Sequence, residues 1–180
     1  FTQKGIDLVK QYLPTIQTVG VLFCPGEMAS LSGLRDLEAS CRDEGLELIS
    51  LPVNAVGEVI DATTALCMKK VDAICQLPDN MTIPGFMGMV KTTRKHQVPL
   101  FCFITSQVQM GAVAAIAGDF FQQGIEIADM ALDVLGGTPP ADIPFRRIRQ
   151  IQTVINPEAA RAYGLETPQS LLDSVGVIIQ

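Results

Sequence analysis

Three carboxylates, Glu27, Asp79 and Asp119, stand at or shortly after the ends of short apolar runs rich in strand formers, TVGVLF (18 to 23), VDAICQL (71 to 77) and GAVAAIAGD (111 to 119). In a parallel sheet the positions just past the carboxyl ends of the strands share one edge, however distant in sequence. Here that edge would gather Cys24 to Glu27, Asn54, Pro78 to Asn80, Thr105 to Gln107, and Asp119. Such a rim, polar and uncharged to acidic, has the donors and acceptors to orient a small polar ligand. Glu27, Asp79 and Asp119 could meet an ammonium, and the helix beginning near Glu27 offers free N–H groups to a carboxylate. Acid–base catalysis fits less well, because no spacing brings Asp79 and Asp119 together and the single histidine, His96, precedes a strand at the other end of the sheet. The stretch PGEMASLSG carries neither the lysine of a phosphate loop nor a G-x-G-x-x-G pattern. A loop aspartate after a strand also serves as a helix cap, so Asp79 and Asp119 carry both readings.

Cys24, Cys41, Cys67, Cys75 and Cys102 are scattered singly without a C-x-x-C pair, so no zinc site, no other cofactor and no disulfide framework is expected. Four of them fall in apolar strand-like or helical patterns and read as small buried hydrophobes. Cys24 differs, since it lies in the Cys24-Pro25-Gly26 turn before a helix N-terminus, where a thiolate would be stabilised.

The elements that must hold these residues alternate. Gly5 to Leu13 reads as a helix stopped by Pro14, and strand 18 to 23 follows. A helix from Glu27 to Glu44 ends at Gly45, and LELISLP (46 to 52) is the next strand. A helix over 56 to 70 leads to strand 71 to 77, and a helix over 82 to 96 leads through Val98-Pro99 to strand 100 to 104. Units of this length are the rhythm of right-handed βαβ crossovers under a parallel sheet covered on both faces. After the small-residue run 111 to 119, Phe120 to Leu135 reads as a helix closed by Gly136-Gly137. TPPADIP is a turn-rich connector, IQTVIN a last strand, Pro157 opens a short helix through Ala162, and GLETPQSLLDS ends in another.

Composition bounds the whole: 180 residues, 48% hydrophobic and 18% charged, suffice for one buried core. With 13 basic against 19 acidic residues the net charge is -6, and the densest basic group is Arg146, Arg147 and Arg149, which argues against a nucleic-acid partner. No apolar run approaches the roughly 18 to 20 residues of a membrane span. Phe1 is not a natural start, so the chain is read as a piece of something longer.

The succession LPTIQTVGVLFCPGEMAS, VDAICQLPDN, VPLFCF, GAVAAIAGDFFQQG, PADIP and TVINPEAARAYGLETPQSLL resembles the C-terminal portion of the ABC-transporter substrate-binding proteins related to the tryptophan and tyrosine binders. The resemblance runs from about Gly5 to Ile179 and implies an α/β fold, a Rossmann-like three-layer parallel sheet forming one lobe plus hinge segments of a type I periplasmic binding protein. It further implies a single solute-binding lobe over 1 to 180. Residues 1 to 17 would lead in from a missing N-terminal lobe, 18 to 119 form the lobe core, and 120 to 180 the crossover helix and return segment. The helix from Phe120 to Leu135 would pack on the missing lobe and leave an apolar face uncovered here, inviting self-association. The family's cleft motifs fall on Pro25, Glu27 and Ser30, on Asp79 and Asn80, and on Asp119 and Phe120. Where the family commonly has Tyr-Asn-Pro, Asn-Ser and a tyrosine, this chain has Phe23-Cys24-Pro25, Ala29-Ser30 and Phe120.

The expected function is therefore the substrate-binding component of an ABC importer, without catalysis, extracytoplasmic in the periplasm or on a membrane anchor, and delivering its solute to a permease. The solute would be an amino acid or a similar zwitterion. Gly26 to Ser30 would seat its carboxylate, Asp79, Asn80 and Asp119 would bond it, and Phe120 or Phe101 would stack on an aromatic group. Two other readings stand beside it: a ligand-sensing domain of a signalling protein, cytoplasmic or not, and an enzyme using Cys24.

Overall fold

The computed structural model describes residues 2–145, 150–174 and 177–179. The Arg146, Arg147 and Arg149 group lies outside them. Helix α1 (Thr2–Tyr12) precedes strand β1 (Thr18–Phe23), and α2 (Met28–Asp43) leads to β2 (Glu47–Pro52). A 3-10 turn, Val56–Glu58, opens α3 (Val59–Met68), which is followed by β3 (Ala73–Gln76), α4 (Thr82–His96) and β4 (Leu100–Cys102). Next come α5 (Thr105–Gln109), β5 (Ala114–Gly118) and α6 (Phe120–Leu135), and after the connector β6 (Ile151–Ile155), α7 (Pro157–Ala162), α8 (Gln169–Ser174) and β7 (Val177–Ile178).

Among the described residues the sheet runs β2-β1-β3-β4-β5-β6-β7. From β1 the chain steps outward to β2, then back past β1 to β3 and onward. Right-handed crossovers in opposite directions place α2 on one face and α3 and α4 on the other. Helix α1 joins α2, and α3 packs along α4. Between these layers β3, β4 and β5 are buried throughout, and Val19, Leu22, Leu37, Leu66, Ile74, Phe86, Met89 and Leu100 are wholly inaccessible. At the amino edge of the sheet one carboxylate oxygen of Asp72 accepts from the Gln17 and Thr18 N–H groups and the Thr18 hydroxyl at 2.8 to 2.9 Å, fastening the start of β3 to that of β1.

Strands β1 to β5 are parallel, but β6 runs antiparallel to β5. The reason lies in α6. A helix that packed across the sheet would return the chain to the amino edge and give a parallel strand. Instead α6 leaves at Asp119 and buries none of its residues. The chain comes back at the same edge, where Gly118 pairs with Ile151 and the Asp119 N–H bonds the Gln150 carbonyl, so β6 can only run downward. Phe121, Ile127, Leu132 and Leu135 of α6 are 64 to 84% exposed. Residues of the connector, Pro140, Ala141, Ile143 and Pro144, lie along part of the helix beside Ile127, Met130 and Val134. No described helix is long and apolar enough to cross a membrane.

Expectation and structure differ in three further places. The helix expected over 56 to 70 is split into the 3-10 turn and α3, residues 105 to 109 form α5 instead of an open loop, and β7 was not foreseen.

Three substitutions test this packing. A Cβ on Gly85 would stand 2.8 Å from Val59 across the α3–α4 contact, whereas one on Gly124 in α6 meets nothing. Gly85→Ala is therefore expected to destabilise by about 1–3 kcal/mol in spite of better helix propensity, and Gly124→Ala to stabilise by about 0.5–1 kcal/mol, both read from urea unfolding. Burial by itself would raise the Asp72 pKa, but its backbone and hydroxyl hydrogen bonds outweigh that and hold the carboxyl below the usual value. Its contribution is complete above the ordinary carboxylate pKa near about 4 and is lost as pH falls through the lowered folded value. Asp72→Asn should flatten the acid limb of a stability–pH curve.

Candidate functional site

Because the strand order reverses between β1 and β3, the loops after these strands flank a crevice at the carboxyl edge. The register of β1 with β3 ends at Leu22 and Gln76, so no sheet hydrogen bonds join the loops themselves. After β1 the chain turns at Cys24-Pro25-Gly26, where the Glu27 N–H bonds the Cys24 carbonyl at 3.2 Å, and α2 starts. No side chain caps the first N–H groups of α2, and Pro25 and Gly26 are exposed beside them.

Side chains join the two loops where the backbone does not. The buried Ser30 hydroxyl accepts from the Cys24 N–H and donates to Asp79 Oδ2, both at 2.9 Å. Asp79 Oδ1 accepts from the N–H groups of Met81 (3.0 Å) and Thr82 (2.7 Å), which fastens the entry to α4. The Thr82 hydroxyl lies 2.9 Å from the same oxygen and 2.7 Å from the Leu77 carbonyl, and Gln76 Nε2 donates to it at 2.9 Å. Nearer the surface, Glu27 Oε1 accepts from the Asn80 N–H at 3.0 Å, while the Asn80 side chain is exposed. Asp119 caps α6 through one oxygen, which accepts from the Phe121 and Gln122 N–H groups at 3.0 and 3.1 Å.

Of the residues singled out from sequence, Pro25, Gly26, Glu27, Ser30, Asp79 and Asn80 are thus brought together at the crevice. Asp119 and Phe120 stand at the same edge two strands away, past β4 and β5. Of the other rim candidates, Asn54 is exposed, with its backbone N–H donating to Glu58, and Gln107 of α5 is turned inward, 3% exposed, with neither amide atom hydrogen-bonded among the described residues. Between the crevice and α6 lies a mostly apolar cavity of about 260 Å³, walled by Gly33, Leu77, Pro78, Phe103, Ile116 and Phe120. Sequence reasoning passed over Phe103 and Ile116 because both sit in runs that look like plain core. Phe101 is core, its ring tilted at 60° against that of Tyr12 with centroids 5.7 Å apart.

All five cysteines are free and buried. Burial pushes Cys41 up to about 11 and Cys102 up to about 12, and raises Cys67 and Cys75 as well. Cys24 is 6% exposed, and His96 ends α4 at the opposite edge. Among the described residues no three His, Cys, Asp or Glu side chains gather as a metal site.

Comparison with known proteins gives this edge a context. The model of the ABC transporter substrate-binding protein family matches residues 1–178. The chain belongs to that family, which is defined by binding a substrate. It is 23% identical over 163 residues to a tyrosine-binding protein of Clostridioides difficile (strain R20291), covering 91% of this chain and 47% of that one. A conserved domain protein from Vibrio cholerae superposes with a TM-score of 0.91 at 28% identity, over 99% of this chain and 60% of that one. An ABC domain in complex with L-Trp from Streptococcus pneumonia gives 0.90 at 28% identity, with the same coverage. The fold is thus one lobe of a periplasmic binding protein, and the chain spans about half to three-fifths of the length of these relatives.

The burial of the thiols has a direct test. At pH 7.5 iodoacetamide should label none of the five cysteines of the native chain at the rate of a free thiol, and all five once urea unfolds it. Rapid native labelling at Cys24 alone would instead mark an activated nucleophile.

Proposed function

We propose that this chain supplies one wall of a solute cleft in the receptor component of an ABC importer, and that the solute is an amino acid with an apolar or aromatic side chain. The observation that carries the reading is the juxtaposition of an uncapped helix N-terminus, an acidic rim and an apolar cavity at one sheet edge. An amino acid presents those three chemistries in the same compass: a carboxylate, an ammonium and a side chain. The α2 N-terminus with Gly26 takes the carboxylate. Among the described residues the second oxygen of Glu27 accepts no hydrogen bond and is the candidate partner for the ammonium, and Asn80 beside it adds an exposed amide, whereas Asp119, at the far side of the same edge, caps α6 next to Phe120. Phe103 and Phe120 flank the space for the side chain. That a 28% identical relative is described in complex with L-Trp, and a 23% identical one as tyrosine-binding, supports an aromatic solute.

Since the relatives are longer, the second wall is assigned to polypeptide beyond this chain, and the exposed apolar face of α6 is the surface it would cover. Closure of the two lobes on the solute would then be the state a permease reads, on the extracytoplasmic side of the membrane.

Calorimetric titration of the full-length protein with L-tryptophan, L-tyrosine, L-leucine and D-glucose tests this. Saturable binding of an aromatic amino acid is expected, with a ligand at 100 times its dissociation constant adding about 2.7 kcal/mol of stability. Glu27→Gln should weaken it by about tenfold or more. Binding of the sugar, with no response to the amino acids, would refute the assignment.

A further inference from the structure

We propose that Ser30 and Asp79 do not touch the solute but form a buried strut that sets the spacing of the two solute-facing loops. The proposal rests on the solute-binding reading of this edge and assigns its carboxylates different tasks. Asp79 is 3% exposed and Ser30 1%. The Ser30 hydroxyl has one proton, which goes to Asp79, and it accepts the Cys24 N–H. The Asp79 carboxylate takes that proton and the Met81 and Thr82 N–H groups, with the Thr82 hydroxyl also within 2.9 Å. Both side chains are thus engaged within the chain, and neither presents an open face to the crevice.

What the two residues join is the stronger argument. Leu22 and Gln76 are the last paired residues of β1 and β3, and beyond them the loops are free of each other's backbone. From there a continuous line of hydrogen bonds runs Cys24 N–H, Ser30, Asp79, Thr82, Gln76, returning into the end of β3. It carries the sheet's cohesion past the point where the sheet stops. A carboxylate–hydroxyl bond shielded from water is strong and directional, whereas the outer Glu27–Asn80 link competes with solvent. The strut therefore holds the start of α2 against the start of α4. Glu27, pinned by one oxygen to Asn80, keeps the other for the solute's ammonium.

The test compares L-tryptophan with indole-3-propionate, which lacks the ammonium, on the full-length protein. Ser30→Ala and Asp79→Asn should weaken both probes by a similar factor, about tenfold, leaving their affinity ratio unchanged, while Glu27→Gln should collapse the ratio. Hydrogen exchange on the unliganded protein gives a second readout. Ser30→Ala should speed exchange at the Asn80, Met81 and Thr82 amides, although Ser30 belongs to the other loop. A collapse of the ratio in Asp79→Asn would make Asp79 a direct contact and overturn the proposal. Unchanged exchange over residues 80 to 82 in Ser30→Ala would overturn it equally. Should neither probe bind the wild-type protein, the solute reading fails and exchange alone decides the strut. Should Asp79→Asn not fold, Ser30→Ala, which removes a single oxygen, carries both measurements.

Discussion

Strands β3, β4 and β5 lie between two layers, and a side chain on them meets protein whichever way it points. Their sequences are accordingly apolar almost without interruption, and Gln76, the polar exception, sits at the last position of β3 with its amide nitrogen bonded to Thr82 and the Leu77 carbonyl. A chain built this way has nowhere to keep recognition chemistry except past the ends of its strands. The reversal of strand order then selects one place along that edge. Helices leaving β1 and β3 depart toward opposite faces, and the gap between their first turns is the crevice.

Such a gap would ordinarily be soft, since loops beyond a ladder have only their own contacts. In this lobe the softness is removed from beneath. Buried oxygens close on buried N–H groups, and the exposed surface above them retains the free acceptors. The buried layer of Ser30, Asp79 and Thr82 thus lies beneath an outer layer of Pro25, Gly26, Glu27 and Asn80 that is open to solvent. The neighbouring cavity behaves differently, because Phe120 belongs to a helix that the rest of the lobe does not hold.

Much of this was legible before any coordinates. β1 at 18 to 23, α4 at 82 to 96, α6 at 120 to 135 and α7 through Ala162 fall where period, proline and glycine signals predict them, because in those segments local propensity and tertiary burial agree. Helix α5 is too short to show a period, and Thr105 and Ser106 disguise it as a polar loop. The direction of β6 is written in no local pattern, since it depends on where α6 goes. The edge rule brings Pro25, Gly26, Glu27, Asp79 and Asn80 to the crevice, but it also counted Gln107, which is turned inward, and Asp119, which lies beyond β4. It does not tell an aspartate that faces water from one whose oxygens are turned into the protein, because Asp79 and Asp119 differ in surroundings and not in type. The cavity wall was hidden for the opposite reason: Phe103 and Ile116 look like every other core residue.

The pairing of Gly118 with Ile151 has a consequence for how such a protein can be cut and rebuilt. The chain departs from the sheet and rejoins it at adjacent positions, so residues 119 to 150 form an excursion whose two ends already touch. A tight two-residue hairpin could close the same gap between antiparallel strands. The lobe is in that sense modular: the excursion could be excised, or exchanged for a reporter domain, at a junction where the flanking backbone needs no rearrangement. What would remain is a lobe that keeps the crevice between β1 and β3 and loses the exposed apolar helix, together with Asp119 and the cavity wall that Phe120 supplies.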